Sequence, residues 1–421
     1  MTDSASSHQR SCLIISYHFP PLLGSSGVLR LLSFARALQQ AGWHTTVLTC
    51  SEQAYPDSHA SQQTLLPDGI NVIRAWARHT VKHFSFKGRY SDLMALPDPL
   101  QSWILPAVWQ GWRHIRQQQT DIILSSYPLA SAQLIGYLLH RLTKKPWIAD
   151  LRDPMLQDDI PHGALRRKVF GWLERKIFRY ASKVLVTTAG TADFYRQRFS
   201  QYAGKLQVVA NGYDEDLLPQ NLPAATDHTS PLLLLHSGML HPADRDPTAL
   251  LQAVASLKQQ HKLHAGNFQL VFRASQQEAL LQPLLAKLDI SDLVKLLPAI
   301  PYHEAIREMA QASALLLMQG ETCNQQIPAK AYEYLYCQRP MLILSDAQGE
   351  VKKLHQQTNA GIWAQINQPS QIAAALLNLQ QQLQQKSYKV LGTSEIQQYS
   401  RHHQAGILLE LMQQINSSAM S

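Results

Sequence analysis

The sequence predicts an α/β protein of two domains, each built on a parallel β-sheet. Three observations favour this fold class. Short apolar runs alternate with stretches whose apolar residues recur at helical spacing, and the alternation occurs twice along the chain. Residues 213–231 separate the two series, are rich in Pro, Asp and Asn, and lack apolar periodicity. The length of 421 residues accommodates two domains of ordinary size.

Composition excludes several classes of protein. Hydrophobic residues make up 45% of the chain, which allows large cores and argues against disorder. No apolar run approaches the roughly 18 residues that span a bilayer, and residues 1–10 lack the apolar segment of a signal peptide. The four cysteines show no CxxC or CxxH spacing, so we expect neither a disulfide framework nor a zinc site. We therefore expect a cytoplasmic protein.

The net charge of +8 is unevenly distributed. Residues 1–220 contain 24 Lys and Arg against 16 Asp and Glu, whereas the remainder contains 14 of each. This asymmetry predicts an anionic partner for the first half alone. Because no nucleic-acid-binding motif is present, nucleic acid is not expected as a partner. An anionic membrane surface or a phosphorylated acceptor fits better.

The first series opens with a βαβ unit. Residues 11–16 predict a strand and residues 45–50 predict a second strand. Between them, residues 28–41 predict a helix, which Gly42 ends. The loop between the first strand and the helix contains two prolines and the segment Gly24-Ser-Ser-Gly27, which is more than a plain turn requires. It lacks the GxGxxG pattern of dinucleotide binding.

Further strands and helices of the first domain follow in order. The expected strands are residues 70–75, 121–125, 146–149, 184–188 and 206–210, and the expected helices are residues 100–117, 132–143, 163–183 and 191–199. The helix at 163–183 carries seven Lys and Arg beside an apolar stripe. Such a helix suits either an anionic membrane surface or a solvated position.

A charged segment, Asp150-Leu-Arg-Asp-Pro154, follows the strand at 146–149. It would lie at the carboxyl end of a parallel strand, where open α/β sheets bind ligands. Asp150, Arg152 and Asp153 are therefore candidate site residues. The alternative is a structural ion-pair cluster.

The second series repeats the pattern. The expected strands are residues 232–236, 268–273, 294–297, 313–318 and 341–344, and the expected helices are residues 248–260, 274–288, 368–386 and 395–415, with another helix beginning near residue 299. Gly238 follows the first of these strands and would let the backbone approach a phosphate. Arg245, in the same loop, would clamp that phosphate bidentately.

The stretch 325–335 predicts a helix that begins at Ile327 and Pro328 and carries a lysine near its N-terminus. Pro328 suits the first turn, and Lys330 and Glu333 lie on one face because they are three residues apart. Backbone N–H groups and one cation make an anion site, and a carboxylate one turn further accepts hydrogen bonds from sugar hydroxyls. Phosphate beside sugar is the chemistry of a nucleotide sugar. An ordinary amphipathic helix is the alternative.

Taken together, these motifs resemble the retaining GT-B glycosyltransferases of the group 1, or family 4, type. The donor-site helix of that family has two glutamates separated by seven residues, with a Pro and a Lys between them. Pro328, Lys330 and Glu333 match that pattern, whereas Gln325 stands where the first glutamate would be. The loop before Arg30, the Asp150 segment and the Gly238 loop resemble the family in the same order.

The resemblance implies the GT-B architecture, in which two Rossmann-like domains with parallel sheets face a central cleft. It implies a first domain over residues 1–215, a linker over 216–231 and a nucleotide-sugar domain over 232–394. Residues 395–421 would form a helix that crosses back to the first domain.

The resemblance also implies retaining transfer of a sugar from a nucleotide diphosphate sugar to a glycan or lipid-linked acceptor, with neither a metal nor a further cofactor. The implied site residues are catalytic Arg245, Lys330, Gln325 and Asp150, donor-binding Gly238, Pro328, Glu333, Tyr302, Gly24 and Gly27, and acceptor-side Arg152, Asp153 and Arg30. Two other functions stay open: a nucleotide-sugar epimerase, and a non-catalytic GT-B-like protein that binds a glycan or a partner, which Gln325 favours.

Overall fold

Two compact units make up the structure, a computed structural model. Unit 1 comprises residues 1–210 and 401–421, and unit 2 comprises residues 211–400. The residues that the structure describes are 9–22, 26–55, 65–83, 95–156, 163–219, 222, 231–242 and 244–420. The predicted donor-side Gly24 lies outside the described residues.

Unit 1 is built on a seven-stranded sheet in which every pairing between the named strands is parallel. Its strands are β1 (Ser11–Ile15), β2 (His44–Cys50), β3 (Asn71–Ala75), β4 (Ile122–Ser126), β5 (Trp147–Arg152), β6 (Lys183–Val186) and β7 (Leu206–Val208). The strand order is β3-β2-β1-β4-β5-β6-β7. The strands are therefore added toward one edge of the sheet from β1 to β3 and toward the other edge from β4 to β7. Open α/β sheets bind ligands beyond the carboxyl ends of the strands at the point where this order reverses, here between β1 and β4.

Helices connect these strands in unit 1. They are α1 (Ser26–Gln40), α2 (Thr80–His83), α3 (Ile104–Gln118), α4 (Ala130–Thr143), α5 (Ala164–Tyr180) and α6 (Ala189–Arg198). Of these, α4 packs against both α3 and α5. This places α3, α4 and α5 side by side.

Unit 2 contains a six-stranded parallel sheet with the order β10-β9-β8-β11-β12-β13. Its strands are β8 (Leu232–Ser237), β9 (Phe268–Arg273), β10 (Val294–Leu297), β11 (Ala314–Gln319), β12 (Met341–Ser345) and β13 (Ile362–Gln365). Its helices are α7 (Thr248–Gln259), α8 (Glu278–Lys287), α9 (Tyr302–Gln311), α10 (Ala329–Tyr336), α11 (Glu350–Thr358), α12 (Pro369–Gln384) and α13 (Thr393–Ile396). The predicted class, α/β with two parallel sheets, is confirmed.

The core of unit 2 lies on both faces of its sheet. Successive residues of a strand join different clusters: Leu234 packs in one and Leu235 in the other, and Leu315 and Leu316 divide in the same way. A strand buried on both faces needs apolar residues at every position. This explains why the sequence shows continuous apolar runs here.

The C-terminal helix α14 (Arg401–Met420) belongs to unit 1. It packs against α1, and the Ser33 hydroxyl donates a hydrogen bond to the Arg401 carbonyl (3.3 Å). The Gln404 side chain accepts a hydrogen bond from the Ala210 N–H (2.7 Å). The end of the chain thus supports the segment that follows β7.

The helix predicted over residues 163–183 is too long. It ends at Tyr180, because Ala181 has extended backbone angles (φ −64°, ψ 143°) and Lys183 pairs with Ile148 as the first residue of β6. The end of the helix was not evident from the sequence, because the pattern of charged and apolar residues continues past Tyr180.

Two other predicted helices also differ. The helix expected over residues 395–415 is interrupted at Ser400, which is extended and forms a β-bridge with Tyr213. The helix expected over residues 274–288 begins at Glu278, after two residues with positive φ. The sequence analysis did not predict β13 or α11.

Candidate functional site

The predicted donor-side residues of unit 2 meet beyond the carboxyl end of β8. Gly238 directly follows this strand. Its φ is +117°, a backbone conformation that residues other than glycine rarely adopt. A Cβ at Gly238 would overlap the Nζ atom of Lys330, which lies in the first turn of α10. Two features therefore favour glycine at position 238: its positive φ and the close approach of the Lys330 side chain.

Lys330 and Arg245 form a positively charged pair without a strong acidic partner. Burial, followed by the positive charge of Arg245, lowers the pKa of Lys330 to about 8. No carboxylate in the described part of the chain lies within 4 Å of the Lys330 ammonium group, and Arg245 has only a long contact with Asp244 (3.5 Å). The other Arg245 contacts are also long, to the Met239 carbonyl (3.4 Å) and to Gln319 Oε1 (3.5 Å). Such cations retain capacity for an anionic ligand.

Glu333 follows one turn after Lys330 on α10. Its carboxylate accepts a hydrogen bond from the hydroxyl of Tyr302, at the start of α9 (2.9 Å). The structure therefore brings together two residues that were predicted separately for donor binding. A carboxylate oriented in this way retains acceptor capacity for sugar hydroxyls.

The loop before α10 is held by a polar network. Asp346 accepts hydrogen bonds from the side chains of Asn324 (3.0 Å) and Gln365 (2.9 Å), and the Glu350 N–H donates to the Asn324 carbonyl (2.7 Å). Gln325 follows Asn324 directly and is half-buried. The sequence analysis did not identify this network because its members come from three separate segments.

Pro328 was expected in the first turn of α10, but it lies just before the helix. It is the N-cap, with extended angles (φ −64°, ψ 142°), and the helix begins at Ala329. This places Lys330 closer to the helix N-terminus, where the helix dipole favours an anion.

An Asp-x-Asp spacing that the sequence analysis missed flanks Arg245. Asp244 accepts a hydrogen bond from the Gly320 N–H (3.2 Å), and Asp246 accepts from the Thr248 N–H (2.9 Å) at the start of α7. Both carboxylates therefore support the loop. In the described ranges no group of three or more His, Cys, Asp or Glu side chains could hold a metal ion.

His236 lies beneath the cations and was also missed. It is buried in β8, and one ring nitrogen contacts the Leu316 carbonyl (3.0 Å). Burial and the nearby Lys330 lower its pKa to about 3, so the ring is neutral near pH 7. The signal available in the sequence was a single histidine within the apolar run 232–236.

Arg30 and Asp150, predicted for unit 1, form a buried ion pair. The Arg30 guanidinium donates to both carboxylate oxygens of Asp150 (3.2 and 3.0 Å) and to the carbonyls of Val209 and Ala210 (2.9 and 2.8 Å). The side chains are 1% and 0% exposed. Ser126 also donates to Asp150 (2.9 Å). These contacts favour the alternative of a structural ion pair, and the catalytic role of Asp150 and the acceptor-side role of Arg30 stay predictions.

The other predicted residues of unit 1 cluster at the end of β5. Arg152 is the last residue of this strand, and Asp153 accepts a hydrogen bond from the Thr187 hydroxyl (3.3 Å). Burial raises the pKa of Asp153. Gly27, in the first turn of α1, lies against Arg152 and His18. His18 was not predicted, although it stands in the proline-containing loop that was singled out.

Replacing Arg30 with methionine tests the structural assignment of this ion pair. The Asp150 carboxylate would then be buried without its cation, so the free energy of unfolding should fall by about 3–5 kcal/mol. Urea unfolding of the full chain measures this change, with Arg113→Met on the exposed face of α3 as the control. A change within about 0.5 kcal/mol, as at ordinary surface positions, would contradict the assignment.

Comparisons with known proteins identify the fold and a domain model. Residues 27–212 match the family model of the glycosyl transferase 4-like domain. Sucrose-phosphate synthase from Thermosynechococcus elongatus matches with a TM-score of 0.68 and 14% sequence identity, covering 97% of this chain and 100% of that chain. HepE from Anabaena in complex with UDP matches with a TM-score of 0.62 and 15% identity, covering 98% and 99%.

A putative UDP-N-acetylglucosamine 2-epimerase from Listeria monocytogenes also matches, with a TM-score of 0.58 and 11% identity, covering 95% of each chain. None of the curated proteins compared with the chain matches it in sequence. The two-sheet architecture is the GT-B fold, as predicted. Because one fold hosts several chemistries, the fold does not by itself distinguish a transferase from an epimerase.

Proposed function

We propose that this chain, a GT-B protein in which residues 27–212 form a glycosyl transferase 4-like domain, is a retaining glycosyltransferase. The donor would be a nucleotide diphosphate sugar and the acceptor a glycan or a lipid-linked glycan in the synthesis of a cell-envelope polysaccharide. The observation that carries this proposal is the half-buried pair Lys330 and Arg245, which has no strong acidic partner beside a glycine that permits close approach. The UDP in the HepE structure makes UDP the first nucleotide to test.

The cations would act on the leaving group. When the bond between the sugar and the diphosphate breaks, negative charge grows on the β-phosphate. Lys330, Arg245 and the N-terminus of α10 would stabilise that charge, because fixed positive groups reorganise little during the reaction. The leaving phosphate would itself take the proton from the acceptor hydroxyl, as the resemblance implies.

Glu333 and Gln325 would orient the two sugars of the donor. Glu333, positioned by Tyr302, would accept hydrogen bonds from the ribose hydroxyls. Gln325 would contact the transferred sugar through its amide. An amide accepts a hydrogen bond but lacks the negative charge that favours an oxocarbenium-like transition state, so we expect slower turnover than a glutamate would give.

Gln325 also favours a second candidate function, a non-catalytic protein that binds a nucleotide sugar or a glycan. Incubating the purified chain with a panel of nucleotide sugars separates the functions. Release of a nucleoside diphosphate supports the transferase, conversion between sugar epimers supports an epimerase, and binding without either reaction supports the non-catalytic function.

The phosphate clamp is tested by Arg245→Ala and Lys330→Ala. Each variant should weaken UDP binding by about 1.5–3 kcal/mol, because one charge-assisted hydrogen bond is lost. Calorimetry measures the affinity, and Lys295→Ala, an exposed charge change in the same unit, should leave it unchanged. Unchanged affinity in both clamp variants would place the donor site elsewhere.

Metal independence is a separate expectation. Because side-chain cations would neutralise the diphosphate, transfer or hydrolysis should persist in EDTA. The measurement is nucleoside diphosphate release before and after chelation. Complete loss of activity that magnesium or manganese restores would rule out the cation clamp as the sole support of the leaving group.

An anionic membrane surface is the proposed site of a lipid-linked acceptor. On α5, Leu173 and Ile177 are core residues, whereas Leu165 and Trp172 are exposed among basic residues. On α3, Leu105 is 78% exposed and Trp109 is 57% exposed. Arg113 and Arg116 lie on the same face of α3, over Trp109 and Trp112.

Exposed tryptophan and leucine beside arginine and lysine suit the interface of an anionic bilayer. Among the helices of the described ranges, none combines the length and apolar composition needed to span a bilayer. Arg166 is a poor position for testing the surface charge, because it donates to the Ala95 carbonyl (3.2 Å).

Charge reversal at Lys168, Arg175 and Arg179, which are exposed on α5, should weaken binding to anionic liposomes. Each basic side chain near such a surface contributes about 1 kcal/mol. Cosedimentation measures binding, and 1 M salt should release the protein because the Debye length falls to about 3 Å. Reversal of the exposed Lys262, Lys287 and Lys295 in unit 2 is the matched control. Equal binding to neutral and anionic liposomes, or none to either, would leave a soluble acceptor.

A further inference from the structure

Arg152 is a buried cation that forms no direct ion pair in the described ranges. Its side chain is among the buried charged groups, at 8% exposure. In the described ranges its guanidinium makes one long hydrogen bond, from Nη1 to the Tyr127 carbonyl (3.4 Å), and has no carboxylate within 4 Å. Its Nε atom is buried without a hydrogen-bond partner. A buried unpaired charge costs several kcal/mol, so a residue of this kind normally has a counter-ion.

The backbone holds Arg152 in an unusual conformation. Its φ is +62°, and the pairing of β5 with β6 shifts register between Asp150 and Arg152. The Arg152 carbonyl accepts hydrogen bonds from both the N–H and the hydroxyl of Thr187 (2.9 Å each). Bulges and left-handed residues other than glycine are concentrated at sites where a side chain must be redirected for function.

The guanidinium lies at the N-terminus of α1. A Cβ at Gly27 would lie 2.5 Å from Arg152 Nη1 and 2.5 Å from His18 Nδ1. Gly27 is the second residue of this 15-residue helix, whose first turn carries the positive end of the helix dipole. Arg152 and the helix terminus therefore direct positive potential to one place.

Two neighbouring carboxylates, of Asp153 and Asp150, favour the charged form of Arg152 without forming an ion pair with it. Asp150 accepts hydrogen bonds from Arg30 and Ser126, and a carboxylate oxygen of Asp153 lies 3.3 Å from the Thr187 hydroxyl, whose shorter contact is to the Arg152 carbonyl. Burial, together with the charge of Arg152, lowers the pKa of His18 to about 4, so His18 is neutral near pH 7. None of these groups gives Arg152 a direct ion pair.

We propose that Arg152 and the N-terminus of α1 form an anion site that binds a phosphoryl group of the acceptor substrate. A tetrahedral phosphoryl group accepts several hydrogen bonds at once, which suits the fork of a guanidinium and the N–H groups of a helix terminus. The diphosphate of the donor has its own cations in unit 2, and the excess of Lys and Arg lies in residues 1–220. The assignment to the acceptor rests on the proposed function, whereas the anion site does not.

Titration of inorganic phosphate tests the site itself. The full-length variant Arg245→Ala/Lys330→Ala removes the donor cations, and phosphate should still bind to it with one site per chain. Adding Arg152→Met should weaken this binding by about 10- to 100-fold, and Arg152→Lys should weaken it less. Arg196→Met, which removes an exposed charge from α6 of the same unit, is the control. Equal phosphate affinity with and without Arg152 would overturn the proposal.

Thermal unfolding distinguishes a ligand role from a structural role. If Arg152 awaits an anion, Arg152→Met should keep or raise the unfolding midpoint of the phosphate-free protein, because an unpaired buried charge is removed, and it should lose the upward shift that phosphate causes. If Arg152 instead stabilises the fold, the unfolding midpoint of Arg152→Met should fall in phosphate-free buffer. Phosphate should then still raise the midpoint of this variant. The second result would overturn the proposal.

Two further ligands identify the source of the phosphoryl group. Phenyl phosphate, a probe of a phosphorylated acceptor, should show the same dependence on Arg152 as inorganic phosphate. UDP binding to the chain with intact Arg245 and Lys330 should be unaffected by Arg152→Met. If UDP affinity falls, the site serves the donor and the acceptor assignment is wrong. If phosphate binds but no nucleotide sugar is turned over, the proposed function fails while the anion site stands.

Discussion

The ion pair between Arg30 and Asp150 is the interaction on which the carboxyl edge of the sheet in unit 1 depends. It joins α1 to β5, and Arg30 also donates to the carbonyls of Val209 and Ala210 after β7. Ser126, at the end of β4, completes the set of donors to Asp150. Four segments that are distant in sequence are thereby fixed at one edge of the sheet, and the first turn of α1 is held close to the end of β5.

The contrast between paired and unpaired cations explains why we assign different roles to similar residues. Arg30 and Arg152 are both buried arginines of unit 1, but Arg30 has four hydrogen bonds to anionic or carbonyl oxygens and Arg152 has one long contact. Desolvation of a charge is unfavourable unless hydrogen bonds and an opposite charge offset it. The fully satisfied residue therefore stabilises the fold, and the unsatisfied one is available for a ligand.

Most strands of this fold could be predicted from the sequence because they are buried on both faces. Strands β11 and β12 appear as uninterrupted apolar runs, and their bounds differ from prediction by about one residue. Strand β13, at the edge of its sheet, is mostly half-buried and too short to give such a run, so it was missed. The boundary at Tyr180 was also missed, since an extended Ala181 depends on pairing between β5 and β6 that no local pattern reveals.

The chemistry of the candidate site was predictable where it depends on local spacing. Lys330 and Glu333 share a helix face, and Gly238 follows a strand, so both features are visible in the sequence. The burial of Asp150 was not visible, because its partner Arg30 is 120 residues away. The conformation of Arg152 was also hidden, since nothing in Asp-Leu-Arg-Asp indicates a β-bulge or a positive φ.

Electrostatic balance, more than fold, decides what each unit is suited to bind. In unit 2 the Lys330 ammonium lies beside a second cation, and the pKa of Lys330 falls because burial and that cation both disfavour its charged form. A bound diphosphate would reverse the second effect by adding negative charge between the two groups. In unit 1 Arg152 stays charged because guanidinium groups do not lose their proton in proteins. A buried lysine can lose its proton and become neutral, whereas a buried arginine keeps its charge and is stabilised only by an anion or by hydrogen bonds. The proposed anion site at Arg152 therefore gains more from a bound anion than Lys330 does.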